Sequence, residues 1–256
     1  MYGRGVRRMK RRRWPAWRTA VFFLGIATLL FAVVPALEVL AADLFSVHML
    51  QHVLLTTIAP PLLFIGAPVR PLLLGLPDLV RARVVRPLAR GGPVRTLVHV
   101  LRHPLVAAVL FVGAVYLWHW PALYEAAVRD ARLHVLQHAH FFGTAMLFWS
   151  VVIDPVPFRG TLSYAARIIY LLLAGAAQNT VLGGVLSFST RLLYPHYADR
   201  TAAYGIDALT DQRIGGALMW VVGDSVFLLG VSLAFFRWLA HEEETQRRRE
   251  RGTLRS

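Results

Sequence analysis

The sequence predicts an all-α protein: a polytopic transmembrane helical bundle of about six spans, with both termini on the cytoplasmic side. Three observations lead there. Hydrophobic residues fill 56% of the 256 positions and charged residues only 16%, where a soluble domain carries roughly a quarter charged. Apolar stretches of roughly 20 residues, the length that crosses a bilayer as a helix, recur between short charged connections. The basic residues behind the net charge of +14 crowd the two ends and a few connections, where they orient spans and meet anionic headgroups. That placement makes membrane lipid the partner of the charge and excludes nucleic acid.

Residues 1–18 form a basic arm with Arg4, Arg7, Arg8, Lys10 to Arg13 and Arg18. The first span is expected at Thr19–Leu40. A basic arm before an apolar run also fits a signal peptide, with Val39-Leu40-Ala41 as a weak cleavage site, but the run is longer than a signal core. The second span is expected at Ser46–Gly66 and contains Pro60-Pro61. Each proline lacks an N–H, so the carbonyls of Thr56 and Thr57 lose their helical donors, and the helix is expected to kink or end there.

Residues 67–103 form a proline-punctuated basic connection, in which Asp78–Arg90 alternates Leu and Val with Arg and suits the inner headgroup layer. A third span is expected at Pro104–Trp120, and a fourth at Leu133–Ile153, stopped by Asp154-Pro155. The fifth, Tyr164–Phe188, is rich in small residues that permit close helix packing. The sixth is expected at Arg213–Trp238, followed by a charged tail that is disordered or headgroup-bound. The division is thus a basic cytoplasmic arm (1–18), a transmembrane bundle (19–239) and a charged cytoplasmic tail (240–256). Arm, 67–103 connection and tail are strongly basic, whereas the intervening connections carry compensating acids, so the positive-inside rule puts both ends in the cytoplasm.

The chain has no cysteine, which excludes disulfides and thiolate metal sites. Any metal must be held by His, Met, carboxylate, amide or backbone groups. Of ten histidines, His48, His52, His119, His134, His138, His140 and His196 fall at or near the outer face, and only His99, His103 and His241 on the inner side. Polar groups at membrane depth are costly and usually have a task. One pattern occurs twice: His48-Met49-Leu50-Gln51-His52 opens the second span and His134-Val135-Leu136-Gln137-His138 the fourth. An i, i+4 pair lies on one helical face, so both imidazoles can meet one ion. The alternative is interfacial histidines hydrogen-bonding between helices.

Zinc proteases with this spacing need a glutamate after the first histidine. Met49 and Val135 stand there instead. With no serine or cysteine nucleophile constellation either, an enzyme is not expected. His119, between two tryptophans, reads as a wetted member of an aromatic belt or, with His140, as a further ligand beside the two pairs. Gln178 and Asn179 lie near the middle of the fifth span, and Asp224 near the middle of the sixth. A lone midspan carboxyl must be protonated, hydrogen-bonded or facing water, and Gln178 or Asn179 is its expected partner. Gln51, Gln137 and Met219 complete the supporting polar set, Met219 as a soft thioether donor.

These strings resemble the bacterial CtaG-type cytochrome c oxidase assembly factors, from about Trp14 to Trp238. The resemblance rests on the two histidine motifs with His140, Ala59-Pro60-Pro61-Leu62, Leu117-Trp118-His119-Trp120-Pro121, Gln178-Asn179 with Gly183-Gly184, Tyr194-Pro195, and Asp211-Gln212 through Gly215-Gly216 to Met219-Trp220. It implies a multi-pass factor of the bacterial cell membrane that serves a haem-copper oxidase, with cytochrome c oxidase subunits as partners and copper as cargo. Family members often carry another hydrophobic span ahead of the basic arm, whereas this chain starts almost at the arm. Two other classes fit the residues: a haem-binding electron carrier, with single histidines from two spans on one iron, and an ion or proton transporter using Asp224 and the midspan amides.

Overall fold

The computed structural model describes residues 1–9, 14–87, 91–155 and 162–253, and among these every regular element is helical. Lys10 to Arg13 of the basic arm, Arg90 of the amphipathic segment and the last three residues of the tail lie outside the described residues. Four helices are long and apolar enough to cross a bilayer: Phe45–Ile65, Ala131–Ile153, Tyr164–Ser187 and Ala208–Arg251. Two bent pairs, Ala16–Ala32 with Pro35–Asp43 and Gly92–Leu101 with Pro104–His119, raise the number to six if each crosses as one unit.

The first span is therefore not the single helix expected over Thr19–Leu40. Its chain turns by 49° between Ala32 and Pro35, because Val34 is held extended ahead of a proline that starts the next helix. The bend lays Pro35–Asp43 against the opening of the second span.

Of the two outcomes expected at Pro60-Pro61, a kink or an end, the second span does not end there. It runs unbroken from Phe45 to Ile65, and a π-helical stretch, Leu54–Ile58, precedes the prolines. The carbonyl of Thr56, which Pro60 cannot serve, accepts the indole N–H of Trp149 at 3.0 Å. A neighbouring span thus supplies the missing donor, the usual way a membrane helix tolerates proline. This span is the hub: 72% of its apolar window is buried, and it touches the first, fourth and sixth spans.

The third span, Pro104–His119, packs along the fourth. The fourth ends at Asp154, whose φ of 52° before Pro155 closes the helix. Arg102 donates to the Ser150 carbonyl at 2.8 Å, and Arg167 pairs with Asp154. The fifth and sixth spans meet through small residues, as the composition suggested: a Cβ on Gly183 would lie 2.9 Å from the Gly216 carbonyl oxygen. The last helix starts at Ala208, capped by the Asp207 carboxylate on the amides of Leu209 and Thr210. Its final helical stretch reaches Thr253, so of the two states expected of the tail, disordered or headgroup-bound, helix from His241 to Thr253 replaces disorder and is compatible with the second. Spaced i, i+4 contacts support it, Trp238 with Glu242 and Gln246 with Glu250.

Candidate metal centre

Second, third and fourth spans converge at one end of the bundle and bring five histidines together. Within the two i, i+4 pairs the ring centroids are 4.4 Å apart for His48 and His52 and 4.2 Å for His134 and His138. Across the helix interface His48 lies 5.0 Å from His134 and 5.8 Å from His138, and His52 lies 5.4 Å from His138. His119 joins from the end of the third span, 5.4 Å from His52. One ligand nitrogen from each of His48, His134 and His138 lies within 4.8 Å of the others. Metal–imidazole bonds of about 2 Å require such nitrogens roughly 3.3–4 Å apart, so a small side-chain adjustment lets the three share an ion.

The hydrogen bonding shows which nitrogens are free. His119 Nδ1 lies 2.7 Å from the Val115 carbonyl, which can only accept, so Nδ1 carries the proton and Nε2 keeps its lone pair. His48 Nδ1 lies 3.0 Å from Tyr124 Oη and 3.1 Å from Tyr197 Oη. Tyr197 donates to the Ala41 carbonyl at 3.2 Å, and the two phenols are 2.9 Å apart. Burial pushes both phenol pKa values up, which keeps them protonated. His48 Nδ1, Tyr124 Oη and Tyr197 Oη thus form one hydrogen-bonded trio, and His48 Nε2 is left unpartnered. Six buried ring nitrogens have no partner: Nε2 of His48, His119, His134 and His138, and both nitrogens of His52. Buried polar atoms are ordinarily hydrogen-bonded. Each of the five neutral imidazoles therefore keeps one buried lone pair without a partner, and His48, His134 and His138 are close enough to form a three-nitrogen metal-ligand group.

Glu38 supplies the charge. Its carboxylate lies 3.6 Å from His134 Nδ1 and 4.0 Å from His138 Nδ1, the second sphere that orients a metal-bound imidazole and raises its basicity. Glu38 and His134 are also the exposed edge, with side-chain exposures of 32% and 21% against 9% for His138. The cluster is thus open to the surface at this edge and closed elsewhere. A connection after the fifth span closes the rest. Tyr194 donates to the His119 carbonyl at 2.9 Å, and Arg200 pairs with Asp43 at 3.1 Å. Asp211 accepts from the Phe45 amide at 2.6 Å, which fixes the start of the second span.

Of the six histidines the sequence singled out, five assemble and His140 does not. His140 Nδ1 accepts the indole N–H of Trp118 at 2.9 Å, away from the cluster. Gln51 donates to the Ala32 carbonyl at 2.8 Å, and Gln137 is buried with neither amide atom hydrogen-bonded. Asp224 has the expected partner in Asn179, at 2.9 Å, and a second in Thr180, which the sequence reading missed. Gln178 does not reach it; its Oε1 is buried and unpartnered. Met219 is buried, lining a cavity of about 20 Å³ with His52 and His119. Glu38, Tyr124 and Tyr197 were also missed. A carboxylate inside a predicted span was a usable signal for Glu38, while nothing local marked Tyr124 or Tyr197.

Residues 1–241 match the family described as cytochrome c oxidase caa3 assembly factor. Uncharacterized proteins of Mycobacterium bovis and Mycobacterium tuberculosis are each 28% identical over 98% of this chain, and one of Mycobacterium leprae is 27% identical over 93%. The chain spans only 38% of the first two and 36% of the third. No solved structure matches.

Proposed function

The chain belongs to the family of cytochrome c oxidase caa3 assembly factors, and from that premise we propose that it carries copper through its histidine cluster to a membrane-embedded oxidase subunit. The observation behind this reading is the set of six unpartnered, buried ring nitrogens on five histidines from three spans. Imidazole is a strong ligand for copper, and first-row affinity peaks at Cu(II), while Cu(I) also accepts thioether sulfur. A carrier must release its cargo, and the exposed edge at Glu38 and His134 provides the way out. Neither histidine pair carries the glutamate that follows the first histidine in zinc proteases, and Glu38 reaches His134 and His138 from another helix as a charge partner, so the centre is read as one for binding and transfer.

The orientation belongs to the same reading. Arm, basic connection and tail face the cytoplasm, and the cluster lies toward the outer face of the bacterial cell membrane. Copper is favoured over haem by space, because the cavity beside His52 and His119 has room for about one water. A larger cavity of about 450 Å³ at the other end of the bundle has no histidine in its lining. The transporter alternative loses its principal residue, since Asn179 and Thr180 hold Asp224 between the fifth and sixth spans.

The test is a deletion strain complemented with the wild-type gene or with H48A/H138A. Oxidase activity, oxidase copper and oxidase haem are followed at several copper concentrations. The expected result is oxidase deficient in copper under copper limitation, rescued by wild type and by added copper but not by the variant. Copper-loaded oxidase in the deletion strain under limitation would overturn the assignment.

A further inference from the structure

Five histidines are more than one ion needs. The close triad of His48, His134 and His138, with Glu38 behind it, makes a complete three-nitrogen site. His52 and His119 lie outside that triad, yet their free nitrogens are buried with the rest. Both line a cavity of about 20 Å³ that extends from the cluster toward the middle of the bundle. Other walls are Thr57, Gln178, Asn179 and Met219. The space holds one small particle.

We propose that this cavity is a second, inner site for a soft monovalent cation, Cu(I), held by His52, His119 and the thioether of Met219. The proposal rests on the copper reading above and extends it from one position to two. Ligand chemistry separates the positions. The triad has a carboxylate beside it and suits a more highly charged ion, whereas every wall of the inner cavity is neutral. A buried divalent ion without an anion is prohibitively costly. A monovalent ion bound by imidazole and sulfur is the cheapest charge such a cavity can hold, and that donor set selects Cu(I). The carboxylate behind the Asn179 wall, Asp224, is occupied by Asn179 and Thr180.

Backbone geometry gives independent support. The second, fifth and sixth spans each contain a π-helical stretch: Leu54–Ile58, Leu171–Ala177 and Leu218–Gly223. The first contains Thr57, the second ends immediately before Gln178, and the third contains Met219. These three stretches border the cavity, while a fourth, Arg81–Val85, lies in the basic connection; π-turns inside α-helices occur mostly at functional sites. The Gln178 Oε1, buried without a partner, faces an environment in which only a ligand or a trapped water remains to satisfy it.

The experiment is anaerobic Cu(I) titration of detergent-purified full chain against a chromophoric Cu(I) chelator, with X-ray absorption at the copper edge. Wild type, M219L, H119Q and H134A/H138A are compared. Wild type is expected to bind about two Cu(I) per chain, with copper–sulfur scattering. M219L should lose that scattering and weaken one equivalent roughly tenfold or more, while H134A/H138A retains a sulfur-ligated ion. One nitrogen-only Cu(I) in wild type, unchanged by M219L and H119Q, would overturn the inner site and leave the single-site carrier standing. No copper binding at all would overturn both. The scattering of wild type decides between nitrogen and sulfur even if a variant fails to fold.

Discussion

Trp149 on the fourth span donates its indole N–H to the Thr56 carbonyl of the second, the carbonyl that Pro60 leaves without a helical partner. This bond lets a proline pair sit inside the central span without breaking it, and it fixes the relative height of the two helices that carry the histidine motifs. W149F should leave a buried carbonyl unsatisfied and cost about 1–3 kcal/mol, read as a lowered unfolding midpoint in detergent. In a P60A background the residue-60 N–H returns, and the same substitution should cost measurably less. Equal costs in the two backgrounds would show that the bond does not compensate for the proline.

The second sphere should matter to copper almost as much as the ligands. E38Q and Y124F leave every ligand nitrogen in place but remove the carboxylate charge and the phenol network. Each is expected to weaken copper binding roughly 10–100-fold, measured by chelator competition. H140A, whose ring serves Trp118, should bind like wild type within about threefold. Loss of binding in H140A with retention in E38Q would refute the arrangement described.

The outer connection should loosen in acid. Burial holds His196 below the usual imidazole range, against the opposing pull of its bond to the Ala42 carbonyl. A histidine whose folded pKa is depressed contributes stability above its unfolded value of about 6.5, and that contribution is lost as pH falls below it. Amide exchange in residues 194–204 should therefore speed up between pH 7 and 5, and H196Q should flatten the profile. A pH-independent exchange rate in wild type would contradict this.

Absence of cysteine makes the orientation testable with single labels. Arg83 and Ala203 are exposed in the basic connection and the opposite loop. A203C is expected to react with an impermeant maleimide added to intact cells, and R83C only after lysis. The reverse pattern would invert the proposed topology and put the copper centre on the cytoplasmic side.

Much of the architecture was legible before any coordinates. Apolar length and arginine placement mark helices and their ends because the bilayer imposes those properties on each segment locally. The two His-x-Leu-Gln-His motifs announced a shared depth because helical spacing is also local. What keeps the span going past the proline pair was not legible for the opposite reason, since the donor is Trp149, 93 residues away. Only the tertiary structure decided which donors meet. His140 follows His138 by two residues, about 200° around the helix, and so turns to Trp118, while His119 arrives from another span. A bend at Pro35 delivers Glu38, and a loop far along the chain delivers Tyr197. Such contacts join segments whose sequences carry no sign of one another, because proximity across helices is set by the packing of whole faces and not by any residue's neighbours in the chain.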